Sequence, residues 1–557
     1  MKPAPLPSTG NKAFFFLSII VLFTHKLPAQ QVLPLIRATS TKVSVRDGNV
    51  YRESAWNLSQ HIDPDIYYVL EPLRKKTITF YTDIDSISFK INPGESKNFI
   101  ILLNEKDSFN TRISATIQPH GSPPGSVEIV AFAKKLLQED LLFFRNTLQK
   151  NHPGLYRYKT ADQVNEMFDS CYNTLKDSMT NLEFGKIIMY IISGLEDGHT
   201  GSTVPRLLTS HYGQNKPLFP IYLYFIGNRA YALCSAVENI YPGTEILSID
   251  GEPVSEILNN MFKYLPSDGK IESKKRMVVS EGNFGMLYSW LYGQKLSFAV
   301  TYRKDTLKSA MATLAATIVS DGMPCKWDQA PPARKLLNLS LTQDTIACIT
   351  IQSFDENRLS KESFRFKAFL DTTFKKISES NCSRLIIDLR GNGGGLDEYG
   401  AMLYSYLTDK PFHYFSSKYS TTDTVNEKDN PLLGVSLPAD NNYKGKLFIL
   451  TDGRTFSTAA DFSARVRSDG RGTFIGEETG GGYHGNTSGG VLNVILPHTQ
   501  FTVFIPLYHY TNDVKPAKFH DRGVIPDVQV LPSIQDVLQH RDRTLLVALQ
   551  LTRSQNK

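Results

Sequence analysis

The sequence predicts a multi-domain protein of the α+β class. Its 557 residues, 41% of them hydrophobic and 21% charged, have an ordinary globular composition, and domains of roughly 100–200 residues give room for several. Short alternating apolar stretches fill the first part of the chain, a helical apolar period follows, and strands then alternate with helices. These three patterns are typical of three different architectures.

The first 29 residues have the order of a secretory signal peptide. Lys2 and Lys12 precede the apolar run at 14–23, and the small residue Ala29 follows. A positive, apolar and small-residue order is typical of secreted precursors. The apolar run is about half of the ~20 residues that a membrane-spanning helix needs. We therefore expect cleavage after Ala29, a periplasmic or secreted protein, and no stable membrane span.

Residues 30–120 predict an all-β domain of sandwich type, because alternating stretches are separated by Asp-Gly, Pro-Gly and Asn-containing turns. The Gly-Ser-Pro-Pro-Gly-Ser segment at 121–126 predicts a linker. In residues 127–215 the apolar period becomes helical, so a helical segment is expected there.

Residues 216–315 return to a β-rich pattern. Within them, 241–254 contain Pro-Gly, an alternating strand, an Asp-Gly turn and a second short strand. This order resembles the core of a PDZ domain, although any β-hairpin has the same local pattern.

Residues 330–535 alternate strands with helices, which predicts an α/β domain. Residues 536–557 predict a C-terminal helix and tail. The expected strands are 346–351, 385–389 and 447–450, and the expected helices are 364–377, 399–407 and 459–467.

Charge and histidine spacing exclude several classes of function. The net charge of +6 comes from 61 basic and 55 acidic residues without a lysine or arginine block, so no nucleic-acid partner is expected. The histidines show no paired spacing typical of metal ligands. The sequence therefore predicts no metal and no cofactor.

Two segments carry residues suited to acyl transfer. In the first, the strand at 385–389 runs into the loop Arg-Gly-Asn-Gly-Gly-Gly at 390–395, whose main-chain amides can point into a site. The loop is equally compatible with a tight turn, and a phosphate loop would need a lysine that is absent here. In the second, Ser457 follows a strand and a turn and precedes a helix. Serine is a preferred helix N-cap, but it is also a nucleophile beside unpaired amides. Both interpretations stay open on the residues alone.

These segments, with others in the same order, resemble the C-terminal-processing, or tail-specific, serine peptidases and their tricorn-core and interphotoreceptor-retinoid-binding relatives. The matching motifs are Leu-Glu-Asp-Gly-His-Thr-Gly at 195–201, the loop at 388–395, the serine region, 470–479, and Gly-Val-Ile-Pro-Asp at 523–527. The resemblance covers about 132–530. It implies an α/β catalytic domain of the ClpP/crotonase type after the PDZ-like module.

The resemblance implies Ser457 as the nucleophile and main-chain amides of Gly393 or Gly394 and of Thr458 as the oxyanion hole. Tail-specific members use a lysine base, in a register that falls here on Gly482. The sequence has no lysine between Ser457 and Lys515, so a Ser–Lys pair is not expected.

Tricorn-type members use a histidine in the segment that here contains His199, oriented by a carboxylate before the final Gly-Val-x-Pro-Asp motif. His199 is therefore the expected base, since an imidazole can accept the serine proton and return it. The family acid falls on His520 in the preferred register, and a shift of one residue brings Asp521 to that position. His484 is the reserve base.

The sequence thus predicts a secreted or periplasmic serine endopeptidase that acts through an acyl-enzyme. Its partner is a polypeptide substrate, and the PDZ-like module implies capture through the substrate C-terminus. The alternative is a catalytically silent protein that binds a peptide or an apolar ligand on the same fold.

Overall fold

The computed structural model describes residues 129–213, 216–235, 237, 239–305, 308–318 and 335–554, the backbone of strands between 35 and 119, and the side chains of 79 and 86–90. The chain divides into two compact units, Met1–Ser122 and Pro123–Lys557. The predicted signal peptide at 1–29, with its cleavage after Ala29, lies outside the described residues. No helix in the described part is both long and apolar enough to cross a membrane.

The first unit contains β-strands in two sheets. One sheet has the order β1-β7-β8-β4 and the other β3-β2-β5-β6. The strands are β1 Leu35–Ala38, β2 Ser44–Asp47, β3 Val50–Arg52, β4 Asp65–Leu70, β5 Lys76–Tyr81, β6 Ser86–Ile91, β7 Lys97–Leu103 and β8 Arg112–Pro119.

The second unit begins with a mainly helical layer. Its elements are β9 Ala131–Ala133, α1 Lys134–Asn151, α2 Ala161–Asn173, β10 Ser178–Thr180, α3 Asn181–Gly194, β11 Gly201–Ser202 and α4 Val204–Tyr212. Two of the helices start at capping boxes, Thr160 with Gln163 on α2 and Thr180 with Glu183 on α3, because each pair satisfies N–H groups that the first turn leaves free. The buried helix α3 leads directly into the loop that contains His199.

A β-rich module follows, with the sheet order β13-β14-β15-β17-β18 and β16 paired to β15. Helices α5–α7 are inserted between β16 and β17, and Val279–Asn283 joins α6 to α7 as a π-turn. We expected a largely β structure here. Val254, Ile257, Leu258 and Met261 are buried at helical spacing. This short helical pattern is surrounded by alternating β patterns, which is why the prediction for this segment differs from the structure. The elements are β12 Pro217–Leu218, β13 Ile221–Ile226, β14 Arg229–Ser235, β15 Glu245–Ile249, β16 Glu252–Pro253, α5 Val254–Phe262, α6 Glu272–Val278, α7 Phe284–Tyr292, β17 Ser297–Arg303, β18 Ser309–Ala315 and β19 Thr317–Ile318.

The C-terminal part is a layered α/β structure around a sheet of order β20-β21-β22-β24-β25-β28. Its elements are β20 Leu337–Leu341, β21 Ile346–Ile351, α8 Glu356–Lys361, α9 Phe366–Glu379, β22 Arg384–Asp388, α10 Asp397–Ser405, β23 Phe415–Tyr419, β24 Lys446–Thr451, α11 Thr458–Ser468, β25 Thr473–Gly476, β26 Gly485–Ile495, β27 Thr502–Asn512, β28 Val528–Gln529, α12 Ile534–Leu538 and α13 Arg543–Ser554. The strands and helices expected here are confirmed, with shifted ends.

Helices cover both faces of this sheet. On β22, Leu385 and Ile387 pack into one buried cluster with α9, α10 and α11. Ile386 points the other way and packs with Ala548 of α13. Because both faces are buried, the strands are continuously apolar rather than alternating.

The sheet brings the two chemical segments together. β22 and β24 are parallel neighbours, with Asp388 opposite Leu450. Their carboxyl ends therefore lie at the same edge, where open α/β sheets form their sites. The glycine-rich loop leaves β22 there, and the turn that ends at Ser457 leaves β24.

Candidate active site

Ser457 occupies the N-cap position of α11 but does not cap the helix. Its side chain makes no capping hydrogen bond, and its backbone has φ 53° and ψ −133°, a conformation that costs a non-glycine residue about 1–3 kcal/mol. The glycine-rich loop holds it there: Phe456 N–H donates to Asn392 O at 3.0 Å. An added Cβ on Gly394 would lie 2.7 Å from the Ser457 Cβ. The serine hydroxyl is thus held away from the helix.

The hydroxyl meets a histidine that is distant in sequence. His199 Nε2 lies 3.2 Å from Ser457 Oγ, across a separation of 258 residues. The imidazole stacks on the ring of Phe456, with centroids 4.5 Å apart. Burial lowers the pKa of His199, so the ring is neutral near pH 7. A neutral ring nitrogen at this distance can accept the serine proton.

Asp197 holds the loop that carries His199. Its Oδ1 accepts the N–H groups of His199 at 2.8 Å and Thr200 at 2.9 Å. Its Oδ2 accepts the hydroxyl of Thr487 and lies 3.6 Å from His152 Nε2. Burial opposes ionisation, but His152, His199 and Thr487 together hold the pKa of Asp197 below its usual value. Asp197 is therefore a carboxylate whose oxygens are already well supplied with donors.

A second buried carboxylate, Asp268, also approaches His199. Asp268 has no exposed surface; its Oδ1 accepts Gly198 N–H at 2.8 Å and its Oδ2 accepts Gly482 N–H at 3.0 Å. One ring nitrogen of His199 and one oxygen each of Asp197 and Asp268 lie within 4.8 Å of one another, the one such group among the described residues. We assign the two carboxylates to hydrogen bonding, because each of them accepts two main-chain N–H groups. The expectation that no metal is bound stays a prediction.

The glycine-rich loop and α11 each leave one main-chain N–H group without an acceptor among the described residues. Gly394 N–H donates to Asn392 Oδ1 at 2.9 Å, which removes it from the expected oxyanion hole in this conformation. The N–H groups of Gly393 and Thr458 donate to no acceptor among the described residues. Those two groups remain as the candidate oxyanion donors.

The Thr458 side chain ties the helix to the loop. Its hydroxyl lies 3.0 Å from Gly395 O and 2.8 Å from Asp397 Oδ1. Burial raises the pKa of Asp397 to about 6. These contacts hold the first residue of α11 against the end of the glycine-rich loop.

The position where lysine-dependent relatives carry their base is filled from another part of the chain. An added Cβ on Gly482 would lie 2.8 Å from Tyr158 Oη and 2.9 Å from Arg157 Nη2. The Arg157 guanidinium lies 4.6 Å from the Tyr158 ring centroid and donates to Gly485 O. A side chain at position 482 would therefore require Arg157 and Tyr158 to move.

Lys274 is a further cation near the site. Its Nζ lies 3.4 Å from the ring centroid of Phe456 and donates to Gly198 O at 3.1 Å. Burial lowers the pKa of Lys274 to about 8. It therefore carries most of its charge at neutral pH, on the aromatic ring that also contacts His199.

Two expected residues lie elsewhere. The Asp521 carboxylate pairs with Lys270 Nζ at 2.8 Å, and the lysine is 72% exposed. The His484 ring lies against His520, with centroids 5.1 Å apart. Neither side chain contacts Ser457 or His199 among the hydrogen bonds and ion pairs of the described residues. From the expected set, the structure thus places His199 and Gly394 against Ser457 and its neighbour Thr458, but it does not bring Asp521 or His484 there.

Sequence reasoning missed the residues that surround this pair. Asp197 and Asn392 lie inside the recognised motifs, so their positions were a usable signal. Asp268 lies in Ser-Asp-Gly at 267–269, which looks like an ordinary turn. The neighbours of Gly482, Arg157 and Tyr158, had no signal in the sequence.

The chain is similar to several known proteins. Residues 345–530 match the model of peptidase family S41. A tail-specific protease of Haemophilus influenzae is 33% identical over 107 residues, which are 19% of this chain and 14% of that protein's length. The structure of mature CPAF superposes with a TM-score of 0.51 at 15% identity, covering 76% of this chain and 99% of that one. A photosystem II D1 C-terminal processing protease has a TM-score of 0.35 at 14% identity, with coverage of 72% and 96%.

An α/β core that presents a strained serine to a neutral imidazole and to free main-chain amides has the features of a serine hydrolase. The matched domain refines that class: residues 345–530, about a third of the chain, match the model of peptidase family S41. The superposition with mature CPAF shows a shared fold.

Proposed function

We propose that the chain is a serine endopeptidase of the tail-specific and tricorn-like type that cleaves polypeptides in the periplasm or outside the cell. The observation that carries this proposal is the 3.2 Å distance between His199 Nε2 and Ser457 Oγ. The strained backbone of Ser457 supports it, because strain of this kind clusters at functional sites.

In the proposed mechanism Ser457 Oγ attacks the carbonyl carbon of the scissile peptide. His199 Nε2 takes the hydroxyl proton and then gives it to the leaving amine, so the peptide C–N bond breaks and an acyl-enzyme ester forms. A water molecule then attacks the ester, with His199 again taking and returning the proton. This cycle releases the acyl product and restores the serine.

The main-chain N–H groups of Gly393 and Thr458 would hold the oxyanion of each tetrahedral intermediate. Loss of one such donor costs about 3–4 kcal/mol of barrier. Because Thr458 is the first residue of α11, the positive end of the helix dipole adds to its effect.

Labelling with a fluorophosphonate tests the nucleophile and the base. Wild type should label at one site, Ser457→Ala should not label, and His199→Ala should label at least about 100-fold more slowly. Circular dichroism should show both variants folded. Equal labelling of wild type and Ser457→Ala would exclude this nucleophile, and a wild type that never labels would favour a silent ligand-binding protein.

We further propose that substrate is captured in extended form by the β-rich module. At one edge of its sheet, the Phe225 N–H of β13 already donates to Ser280 Oγ at 3.1 Å. At the other edge, β18 has neither a charged residue nor a proline, and Met311 at its centre is 73% exposed. Edges without such protection accept an added strand. We therefore place capture at β18.

Fluorescence anisotropy with matched peptides tests this route. We expect a peptide with a free C-terminal carboxylate to bind more tightly than its amide, and Met311→Lys to weaken both. Hydrolysis of a small activated ester should stay unchanged in that variant. Equal binding of the two peptides would remove the C-terminal preference, and unchanged binding by Met311→Lys would move capture away from β18.

A further inference from the structure

His199 needs a hydrogen-bond acceptor on the ring nitrogen that faces away from the serine. A general base works best when its other nitrogen carries a proton held by a fixed group, because this leaves the reacting nitrogen free to accept. In the structure Nε2 faces Ser457, and Nδ1 is buried without a hydrogen-bond partner among the described residues. Asp521, the expected orienting group, is paired with Lys270.

Asp197 and Asp268 are two buried carboxylates with an oxygen within 4.8 Å of a ring nitrogen of His199, and they differ in how many further hydrogen bonds they can accept. A carboxylate accepts about four hydrogen bonds. Asp197 receives donors from two main-chain N–H groups and from Thr487, with His152 also nearby. Among the described residues, Asp268 receives only the N–H groups of Gly198 and Gly482, so each of its oxygens keeps a lone pair for a further donor.

The electrostatic effects on His199 also favour Asp268 over Asp197. The groups that act on the His199 ring from the surrounding elements are Asp268, Asp197, Lys274 and Arg157. Burial has the largest effect on the pKa of His199 and lowers it. Asp268 opposes this more strongly than Asp197 does, while the two cations add to the lowering. Asp268 is thus the carboxylate that can accept further hydrogen bonds and that stabilises the charged form of His199 more strongly.

We propose that Asp268 is the orienting residue of the catalytic base and accepts the Nδ1–H of His199. It fixes the tautomer with Nε2 free and stabilises the imidazolium that forms when Ser457 attacks. Asp268 does not touch the substrate, so it is a positioning residue. Its bonds to Gly198 and Gly482 place it between the loop of the base and the glycine-rich loop after the serine. The inference rests on the proposed function of His199.

Asp268→Asn tests the proposal against a matched control. Asp140 is also fully buried and also accepts two main-chain N–H groups, from His498 and Thr499, each at 2.8 Å. We expect Asp268→Asn to slow fluorophosphonate labelling at least about 100-fold and to move the His199 titration to lower pH, since a negative charge is removed. Asp140→Asn and Asp521→Asn should keep the wild-type rate and midpoint.

The His199 ring is followed by NMR on the full chain labelled at histidine, with the signal assigned from His199→Ala. Wild type should show the Nδ1–H tautomer at neutral pH, a readout that does not depend on folding of a variant. An Nε2–H tautomer in wild type overturns the proposal. Slow labelling of Asp268→Asn with an unchanged His199 titration midpoint overturns it as well. A wild type that never labels but has the expected tautomer and midpoint shift would refute the peptidase function and retain the Asp268 contact.

Discussion

His199 and Phe456 are stacked, with ring centroids 4.5 Å apart and planes 25° from parallel. Phe456 immediately precedes Ser457, so the residue next to the proposed nucleophile also contacts the proposed base. Lys274 contacts the same ring. The ring of Phe456 therefore contacts both the imidazole of His199 and the ammonium group of Lys274, and it belongs to the turn that ends at Ser457.

Phe456→Ala should lower kcat/KM at pH 7 by about 10–100-fold, because the imidazole loses a wall that fixes its position. Burial lowers the pKa of His199, so opening the site should raise this pKa and move the acid limb of the pH profile to higher pH. Phe366→Ala is the control, since Phe366 stacks on Tyr399 at 4.5 Å and 22°. It should lose stability without a change in the profile. A Phe456→Ala profile identical to wild type would show that the stack has no role.

Lys274→Met should reveal the cost of burying this cation. Burial lowers the pKa of Lys274 to about 8 from 10.5, so between these values the unfolded chain binds more protons than the folded one, and rising pH favours the folded chain. The stability of wild type relative to Lys274→Met should therefore rise from pH 8 to pH 10.5. Urea unfolding at each pH measures this difference. The exposed Lys270 has a raised pKa, so Lys270→Met should show a small trend of opposite sign.

Gly394→Ala should abolish peptidase activity while the chain stays folded. Its Cβ would lie 2.7 Å from Ser457 Cβ and 2.9 Å from Phe456 O, so the nucleophile must move. Gly251→Ala is matched, because Gly251 also has a positive φ, +85° against +99°, with nothing near its added Cβ. Both variants should lose about 1–2 kcal/mol from the φ change, measured by thermal unfolding. Only Gly394→Ala should stop labelling, and wild-type rates in it would contradict the observed packing.

Arg390→Ala should cost about 3–5 kcal/mol of unfolding free energy, because it removes the cation of a buried network. Arg390 pairs with Asp388 at 2.6 Å and with Asp542 at 2.7 Å, and it links the end of β22 to the start of α13. Arg553→Ala, which breaks an exposed pair with Asp344, should cost under about 1 kcal/mol. Equal costs in denaturant titrations would mean that the Arg390 network contributes little.

Much of the C-terminal sheet was predictable from local patterns. The strand expected at 447–450 is β24, Lys446–Thr451, and the helix expected at 459–467 is α11, Thr458–Ser468. Apolar runs bounded by glycine-containing turns indicate such elements directly. The choice between helix cap and nucleophile for Ser457 was different. It depends on a backbone conformation imposed by Gly394 and Asn392, which local sequence does not encode.

The partners of the base show where sequence reasoning stops. His199 was expected through a motif resemblance, but its contact with Ser457 spans 258 residues. Asp521 was assigned from its place before a motif, yet its carboxylate pairs with Lys270. Asp268 lies beside the imidazole because α6 and its preceding loop pack there. Such a juxtaposition arises from tertiary packing and leaves no periodic trace in the chain.

The crowding at Gly482 has an evolutionary consequence. Arg157 and Tyr158 would meet any side chain at position 482, so an exchange of glycine for lysine requires both of them to move. A lineage that passes from a histidine base to a lysine base must therefore accommodate these two neighbours as well as the new lysine.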